Sequence, residues 1–473
     1  MNSETRTWRV VGADSLRFRR VLAALAGLTV WWMGGQARSV AAQAEDRPSS
    51  DATLTLSQAV AMTLDTHPFL LGGVARQRAA EEAHRVSVGE RFPSLSLRGA
   101  ATQFEQPMVV TPIHGFEPSL IPPFDETLFQ AGAMVSYTVY DGGARGARIS
   151  ASESQARGAQ SDLRSARQEL IGQVAASYLA VLLAREQLDA HDQRIAALQS
   201  ELDRVQVLLA VGRAPRLDVL RAEAALADAG ANRVRTVTMR RLAEGDLGRL
   251  MGLSDGSLRE RALQEITLQA GTAVDRTRLF SESLATNPGV QRARDDLTSA
   301  EAAVGVARGA RRPSVDLQAA YVDQGSLDGH FSAEWNVGLG ISIPVFTGGS
   351  LGHGVSRAEA LREASRENVR LAELGAAVSV DRALATLEET EARAVSLRLA
   401  VDRSEEVARI ERLRLDSGTG VQADYLQAEA TLLSLRATLS EVEHGAVLAR
   451  VQLAKAVGEL DEGWLEENLG GAS

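Results

Sequence analysis

The sequence contains no cysteine and a single lysine, Lys455, among its 473 residues. The absence of cysteine excludes a disulfide framework, a thiolate metal site, a cysteine nucleophile and a lipid-modified N-terminal cysteine. A phosphate-binding loop of the G-x-x-x-x-G-K-[ST] type is absent, since Lys455 lies in VQLAKAV. Aromatic residues make up 4% and hydrophobic residues 45% of the chain, which is typical of long helices. The net charge of −10 argues against a nucleic-acid partner.

The first 44 residues have the features of a signal peptide. Residues 1–20 are rich in arginine, residues 21–33 are apolar, and Ala42-Gln43-Ala44 is an A-x-A cleavage signal. The apolar run is too short for a membrane-spanning helix, which needs about 20 residues. We therefore predict a cleaved signal peptide over residues 1–44, with an uncleaved anchor or a disordered tail as the alternative. We predict no membrane-spanning helix later in the chain.

The remainder of the chain is an internal duplication. FQAGAMVSYTVYDGG at 129–143 matches WNVGLGISIPVFTGG at 335–349, and LDVLRAEAAL at 217–226 matches ADYLQAEATL at 423–432. Matches in one register predict two copies of one structural unit. We assign repeat 1 to residues 45–252, an inter-repeat linker to 253–275, repeat 2 to 276–458 and a C-terminal tail to 459–473. Residues 104–128, which are rich in proline, are predicted to form a long irregular loop.

Alternating apolar and polar residues predict one β-hairpin in each repeat, with strands at 95–103 and 129–140, then at 315–322 and 335–346. Strands of about 9–12 residues match the length that crosses a bilayer at a tilt, although a sheet packed on an ordinary core would alternate in the same way. The residues expected to share the membrane-facing side are Phe129, Val135, Tyr137, Val139, Trp335, Val337, Leu339, Ile341, Ile343 and Val345. Tyr137, Tyr140 and Trp335 are either an interfacial aromatic girdle or simply good strand formers.

Each repeat is also predicted to contain a very long helical hairpin. Residues 144–211 and 350–417 contain no proline, and in the first of these segments apolar residues recur every three, four or seven positions. This pattern predicts continuous helices of about 100 Å. Gly212 and Gly418 are expected to end them, and return helices are predicted over 215–250 and 421–457.

Four strands per chain are too few for a membrane barrel, whose minimum is about eight. Open sheet edges in lipid would leave backbone groups without hydrogen bonds. The sequence therefore predicts an α+β membrane protein in which several copies share one barrel, with the helices forming a second tube on the same axis.

The order and duplication of these motifs resemble the TolC-like outer-membrane efflux proteins of Gram-negative bacteria. The shared features are the LTLSQAVAMTLDTHPFL opening, the P-S-[LV]-x-L strand starts, the Y-D-G-G and F-T-G-G strand ends, and the turns VGRAPRLDVLRAEA and SGTGVQADYLQAEA. The resemblance covers residues 54–460. It implies a homotrimer with a shared twelve-stranded β-barrel in outer-membrane lipid and a helical coiled-coil tunnel in the periplasm. It also implies a passive exit duct that works with a periplasmic adaptor and an inner-membrane pump.

The resemblance further assigns roles to residues at the helix turns. It implies that the adaptor contacts Gly212, Arg213, Ala214, Pro215, Gly418, Thr419, Gly420 and Val421. It places Asp424 and Gln427 at the periplasmic gate, where the family carries two aspartates, so one of two carboxylate rings is missing here. The family's closing contacts from a tyrosine and an arginine would fall on Leu415 and Gly420, which cannot make them. Asp424 has a simpler alternative role, as an acidic residue favourable to a helix N-terminus.

Enzymatic readings of the sequence are weak. Residues 348–352 fit the G-x-S-x-G motif of hydrolases, but the matching residues 142–146 contain no serine, and a glycine-rich turn from strand to helix explains both segments. No two histidines have metal-ligand spacing. We therefore predict no catalytic site, no metal and no cofactor. The alternative function is a coiled-coil scaffold of the cell envelope without a pore.

Overall fold

The computed structural model describes residues 53–111, 122–253, 256–259, 261–266 and 275–469. The predicted signal peptide lies outside the described residues, as do residues 112–121 of the predicted loop, parts of the predicted linker and the last four residues of the predicted tail. The described residues divide into two compact units. A sheet unit contains Phe92–Asp141 and Pro313–Ile343, and a helical unit contains the rest.

The sheet unit is one antiparallel sheet of four strands in the order β1-β2-β3-β4. The strands are β1 (Ser94–Val109), β2 (Phe124–Tyr140), β3 (Ser314–Gly325) and β4 (Phe331–Ser342). Each repeat contributes one hairpin, and pairing of β2 with β3 joins the two hairpins. The strands β1 and β4 therefore form the edges of the sheet.

Each of the four strands extends past at least one of the limits that the sequence pattern predicts. β1 and β2 continue into the predicted loop 104–128, where Val109 pairs with Phe124, so the connection is only residues 110–123. β4 begins earlier than predicted and ends at Ser342, so its predicted end at residue 346 is wrong. Ser342 pairs with Ser314, the first residue of β3, and no backbone partner follows that point. Pro344, which cannot donate a ladder hydrogen bond, reinforces this end.

The helical unit contains two helical hairpins that follow the duplication. The first pairs α3 (Ala144–Ala210) with α4 (Arg216–Leu250), and the second pairs α7 (Ser350–Asp416) with α8 (Gln422–Val457). The helices α3 and α7 have 67 residues each, which corresponds to about 100 Å at 1.5 Å per residue. No helix among the described residues has both the length and the apolar character needed to cross a membrane.

Shorter helices complete both repeats. They are α1 (Leu56–Thr66) and α2 (Pro68–Gly89) in the first repeat, and α5 (Arg276–Thr286) and α6 (Pro288–Gly309) in the second. His67 and Asn287 are equivalent N-caps, since the His67 ring accepts a hydrogen bond from the backbone N–H of Phe69 and the Asn287 side chain accepts one from that of Gly289. A proline follows each cap, at the position where helices tolerate it best.

The main hydrophobic core of the helical unit surrounds Tyr178 in the middle of α3. It brings together residues of α1, α3, α4 and α8. The segment predicted as a tail adds α9 (Glu462–Leu469), whose Leu465 and Leu469 are buried in the same core. The C-terminal segment is therefore part of the packed fold.

Candidate functional site: sheet faces and helix turns

One face of the sheet is apolar across all four strands. Tyr321 lies opposite Ala133 on one side and Trp335 on the other. The row beside it contains Leu95, Val135, Ala319 and Val337, and the next contains Tyr137, Leu317 and Leu339. Because side chains alternate between faces along a strand, these rows lie on the same side. The exposed residues on β4 in these rows, such as Trp335 at 75%, form an apolar surface that the described part of the chain leaves uncovered.

The other face is polar and carries cross-strand hydrogen bonds. The Thr138 hydroxyl donates to Asp316 at 2.7 Å, and the Gln130 side-chain amide donates to Gln324 at 3.3 Å. The hydroxyls of Ser94 and Ser136 lie 2.7 Å apart. An apolar face opposite a hydrogen-bonded polar face suits a sheet with lipid on one side and water on the other.

Some residues predicted on the apolar face are placed differently. The register shifts between Thr138 and Tyr140, so Tyr140 lies opposite Val315 where Val139 was expected. Val139 remains exposed at this irregularity. Ile343 and Val345 are also exposed, but they lie beyond the end of β4. Phe129 is half-buried and lies opposite Gly325.

The turns that join the long helices have the same backbone in both repeats. In the first turn, Gly212 has φ of 75°, its N–H donates to Leu209, and the Arg213 N–H donates to Leu208. In the second turn, Gly418 has φ of 77°, its N–H donates to Leu415, and the next N–H donates to Arg414. This is the Schellman motif, which favours glycine at the left-handed position.

The remaining turn residues differ in exposure. Arg213, Pro215, Thr419 and Val421 are exposed, whereas Ala214 packs against a small core formed by α3 and α4. Pro215 is the residue before α4 rather than part of its first turn. A Cβ atom at Gly420 would lie 2.8 Å from backbone atoms at the end of α7, so this position has no room for the family's arginine.

Asp424 and Gln427, the residues predicted at the gate, share one exposed face of α8. They are three residues apart in the first two turns of the helix, and both side chains are exposed. Between them, Tyr425 points inward and is 3% exposed. The geometry leaves the carboxylate of Asp424 available to line a surface, and Gln427 on the same face carries no charge.

A buried polar network near the turns was missed by the sequence reasoning. Glu201 on α3 is 2% exposed and accepts two hydrogen bonds of 2.8 Å from Arg204. It also accepts one of 3.1 Å from the side-chain amide of Gln422, the first residue of α8. Nearby, Arg412 on α7 donates to the Tyr425 hydroxyl at 2.9 Å and lies over its ring. Burial raises the pKa of Tyr425, so its hydroxyl stays neutral and can accept this bond.

A second group of buried contacts, which the sequence did not predict, fixes the inter-repeat linker to α3. The Tyr178 hydroxyl lies 2.8 Å from the carbonyl oxygens of both Leu54 and Gln264, and Leu54 forms a parallel bridge with Leu263. Two turns along α3, Arg185 donates to the carbonyl oxygens of Arg261 and Leu258 and to the buried Glu244. The only sequence signal was the position of both residues on a long helix, which does not show what they contact.

A cleft of about 320 Å³ lies between α3, α4 and α8. Its lining mixes Glu186, His191 and Arg235 with Arg436 and Ser440. The hydrogen bond with His444 holds the pKa of Glu186 below its usual range, and burial lowers the pKa of His191. Charges of both signs line this cleft, so its chemistry selects no single class of ligand.

The described residues do not favour an enzymatic site. Among them, no three histidine, aspartate or glutamate side chains form a group that could hold a metal ion. Gly348 and Gly349 have φ of 62° and 82°, and Gly142 and Gly143 have φ of 70° and 90°. Because both repeats use the same left-handed pair before a long helix, the backbone explains the glycines of the G-x-S-x-G match.

The sequence and the fold are similar to those of known outer membrane proteins. The chain is 24% identical to the outer membrane efflux protein BepC of Brucella suis, over 70% of this chain and 72% of BepC. It is 23% identical to the outer membrane protein OprJ of Pseudomonas aeruginosa, over 92% of this chain and 90% of OprJ. Among solved structures, the outer membrane protein VceC of Vibrio cholerae superposes with a TM-score of 0.73 at 21% identity, covering 85% of this chain and 96% of VceC.

The sequence profile described as outer membrane efflux protein matches residues 59–253 and 279–459. The two matched segments coincide with the two repeats to within one residue at their C-terminal ends, and they leave out residues 254–278. They cover well over half of the sequence. The chain therefore belongs to the outer membrane efflux protein family.

Proposed function

We propose that three copies of this chain form one passive exit duct that works with a periplasmic adaptor and an inner-membrane pump. As a member of the efflux family, the chain is an outer-membrane channel protein with its helices in the periplasm. The trimer and the partners are the proposed additions. In this proposal the duct catalyses no reaction.

The observation that carries the proposal is the four-stranded sheet with one apolar face and edges at β1 and β4. A lipid-exposed sheet must pair its edges, because backbone groups in the hydrocarbon core have no water to bind. Four strands cannot close on themselves, since a barrel needs about eight or more. Three copies provide twelve strands, and β1 of one copy would pair with β4 of the next.

The helix turns and the gate complete the proposal. The adaptor contacts residues 212–215 and 418–421, which lie about 100 Å along α3 and α7 from their first residues. Asp424 lines the narrow periplasmic entrance, with Gln427 on the same helix face. Closure rests on interhelical contacts such as that between Glu201 and Gln422, since Leu415 and Gly420 cannot supply the family's closing contacts.

The test is extraction and reconstitution of the full-length protein. Outer membranes are solubilised in a mild detergent, and the mass of the complex is measured by light scattering. We expect a trimer that gives discrete conductance steps in planar bilayers. Release as a monomer without detergent would support the envelope scaffold instead, because a scaffold has no need for an apolar sheet face.

A further inference from the structure

The two helix turns share a backbone but differ in charge. We name residues 211–216 the basic turn and residues 417–422 the neutral turn. In the basic turn, Arg213 and Arg216 are exposed and form no ion pair within the described part of the chain. The next arginine, Arg221, is partly neutralised by Asp218 at 3.6 Å. The basic turn therefore presents two free positive charges.

The neutral turn carries neither of these two positive charges. The residues equivalent to Arg213 and Arg216 are Thr419 and Gln422, and Gln422 is 4% exposed and bound to Glu201. The arginines at the end of α7 are already paired, Arg412 with Asp416 at 3.6 Å and Arg414 with Glu411 at 3.0 Å.

Exposed apolar side chains lie beside the two free arginines. Val211 is 63% and Leu217 is 53% exposed, and Leu220 follows one turn later on α4. The duplication gives serine and alanine at the positions equivalent to Val211 and Leu217. The basic turn thus combines an apolar surface with unpaired cations, a composition that suits a protein contact with a charged rim.

We propose that the basic turn is the specificity surface for the adaptor and that it binds a hairpin tip carrying carboxylates beside apolar residues. This inference rests on the proposed function, in which an adaptor meets the turns. The neutral turn then receives an uncharged part of the same partner. Charge complementarity at exposed positions mainly governs association rate and partner choice, so the basic turn decides which adaptor docks.

An anionic lipid surface is the less suitable occupant. The two turns share one backbone and end helices of equal length, so a flat surface would meet them alike. Residues 417–424 contain no cationic side chain, and Asp424 is exposed there. A flat anionic surface would be attracted to the basic turn and repelled by Asp424 beside the neutral turn. A protein partner with two different tips can instead complement the charge of each turn.

The first step of the test identifies the partner in intact cells. A photo-cross-linking residue replaces the exposed Val211 in the full-length protein, and the products are identified by mass spectrometry. We expect an adaptor protein. If no adaptor is cross-linked there, the proposed docking at the turns is rejected, and this inference with it.

The second step measures affinity between that purified adaptor and the full-length channel in detergent. R213E/R216E is compared with S417E/T419E, which adds two carboxylates to the neutral turn, and with the conservative R213K/R216K. We expect R213E/R216E to bind the adaptor roughly tenfold more weakly than the parent at low salt. At high salt the difference from the parent should be smaller, because the charges are screened. The variant R213K/R216K should stay close to the parent. The variant S417E/T419E, whose carboxylates also stand where the adaptor docks, should lose less affinity than R213E/R216E. Lysines in place of the adaptor's tip carboxylates should restore binding to R213E/R216E.

Two results would overturn the inference while leaving adaptor docking intact. One is that the parent and R213E/R216E bind the adaptor with equal affinity, or that R213E/R216E and S417E/T419E lose adaptor affinity equally. The other is arginine-dependent binding of the parent to phosphatidylglycerol vesicles with adaptor affinity unchanged, which would assign the basic turn to lipid. Because both arginines are exposed and unpaired, the two arginine variants are expected to assemble normally, and the trimer mass is measured for every variant.

Discussion

Glu201 and Gln422 are separated by 221 residues, yet their side chains form a buried hydrogen bond of 3.1 Å. The bond connects α3 of the first repeat with the first residue of α8 in the second repeat, close to the two turns. Because Glu201 also accepts two hydrogen bonds from Arg204, its charge is compensated inside the helical unit. The pair is therefore a point at which the two helical hairpins are held together.

The first prediction concerns this pair. Gln422→Glu places a second carboxylate beside Glu201, which raises the pKa of the new group and destabilises the fold by about 2 kcal/mol at neutral pH. A group whose pKa is raised in the folded state is harmless below its unfolded pKa and destabilising above its folded pKa. The unfolding midpoint should therefore be lower than the parent's at pH 7.5 and approach it near pH 4. Gln427→Glu, the same change at an exposed position on α8, is the control, and an equal loss there would contradict the prediction.

The second prediction concerns the hydroxyl of Tyr178. Tyr178→Phe leaves the carbonyl oxygens of Leu54 and Gln264 without this donor, at an expected loss of about 1 kcal/mol. The linker should then become more sensitive to protease around residues 256–266, measured by limited proteolysis of the purified protein. Tyr140→Phe, which changes an exposed tyrosine of the sheet, should leave the cleavage rate unchanged.

Tyr178 is also expected to make the stability of the folded protein decrease at alkaline pH. Burial raises the pKa of Tyr178 above its ordinary value, because the phenolate would lose its hydration. The contribution of Tyr178 to the stability of the folded protein is complete below a pH of about 10. It decreases as the pH rises further, because the phenol then ionises more readily in the unfolded state than in the folded state. The difference in stability between the parent and Tyr178→Phe should therefore shrink at alkaline pH, and a difference that grew would contradict this assignment.

Matching segments in the sequence were enough to predict the duplication, and the periodicity within them was enough to predict its strands and helices. The long helices were predicted within one residue, because Gly212 and Gly418 are needed for the left-handed turn and the preceding segments contain no proline. The strands were predicted in the right places because apolar and polar residues alternate on their two faces. These signals are local, so they can be read without knowledge of the partners of each residue.

Features that depend on distant partners could not be predicted. The end of β4 depends on where β3 begins, and the bulge near Tyr140 depends on the register with Val315. The packing of α9 into the core depends on residues of α1 and α3. Glu201 looked like one of many charged residues on a helix face, and only its contact with Gln422 distinguishes it.

The third prediction concerns the left-handed turn at Gly418. Gly418→Glu should abolish export while trimers still assemble, because a charged side chain would project from a turn where the adaptor docks. The substitution also strains the backbone at φ of 77°, at a cost of about 1 kcal/mol. Gly418→Asn is the matched control, since asparagine tolerates this conformation. Export at the parental level by Gly418→Glu trimers would mean that the glycine serves only to end α7.

The last prediction concerns Asp424. In a trimer its carboxylate would appear three times around one axis, which attracts cations and favours binding of divalent ions. Asp424→Ala should therefore reduce cation selectivity and relieve block by divalent cations in single-channel recordings. Asp218→Ala is the control, because Asp218 has the same place in the first repeat but lies 3.6 Å from Arg221. Both substitutions remove an acidic residue from the first turn of a helix, which costs about 0.5 kcal/mol in each case. A role confined to helix stability would leave selectivity and block unchanged in both variants, and only a selective effect of Asp424→Ala places this carboxylate at the gate.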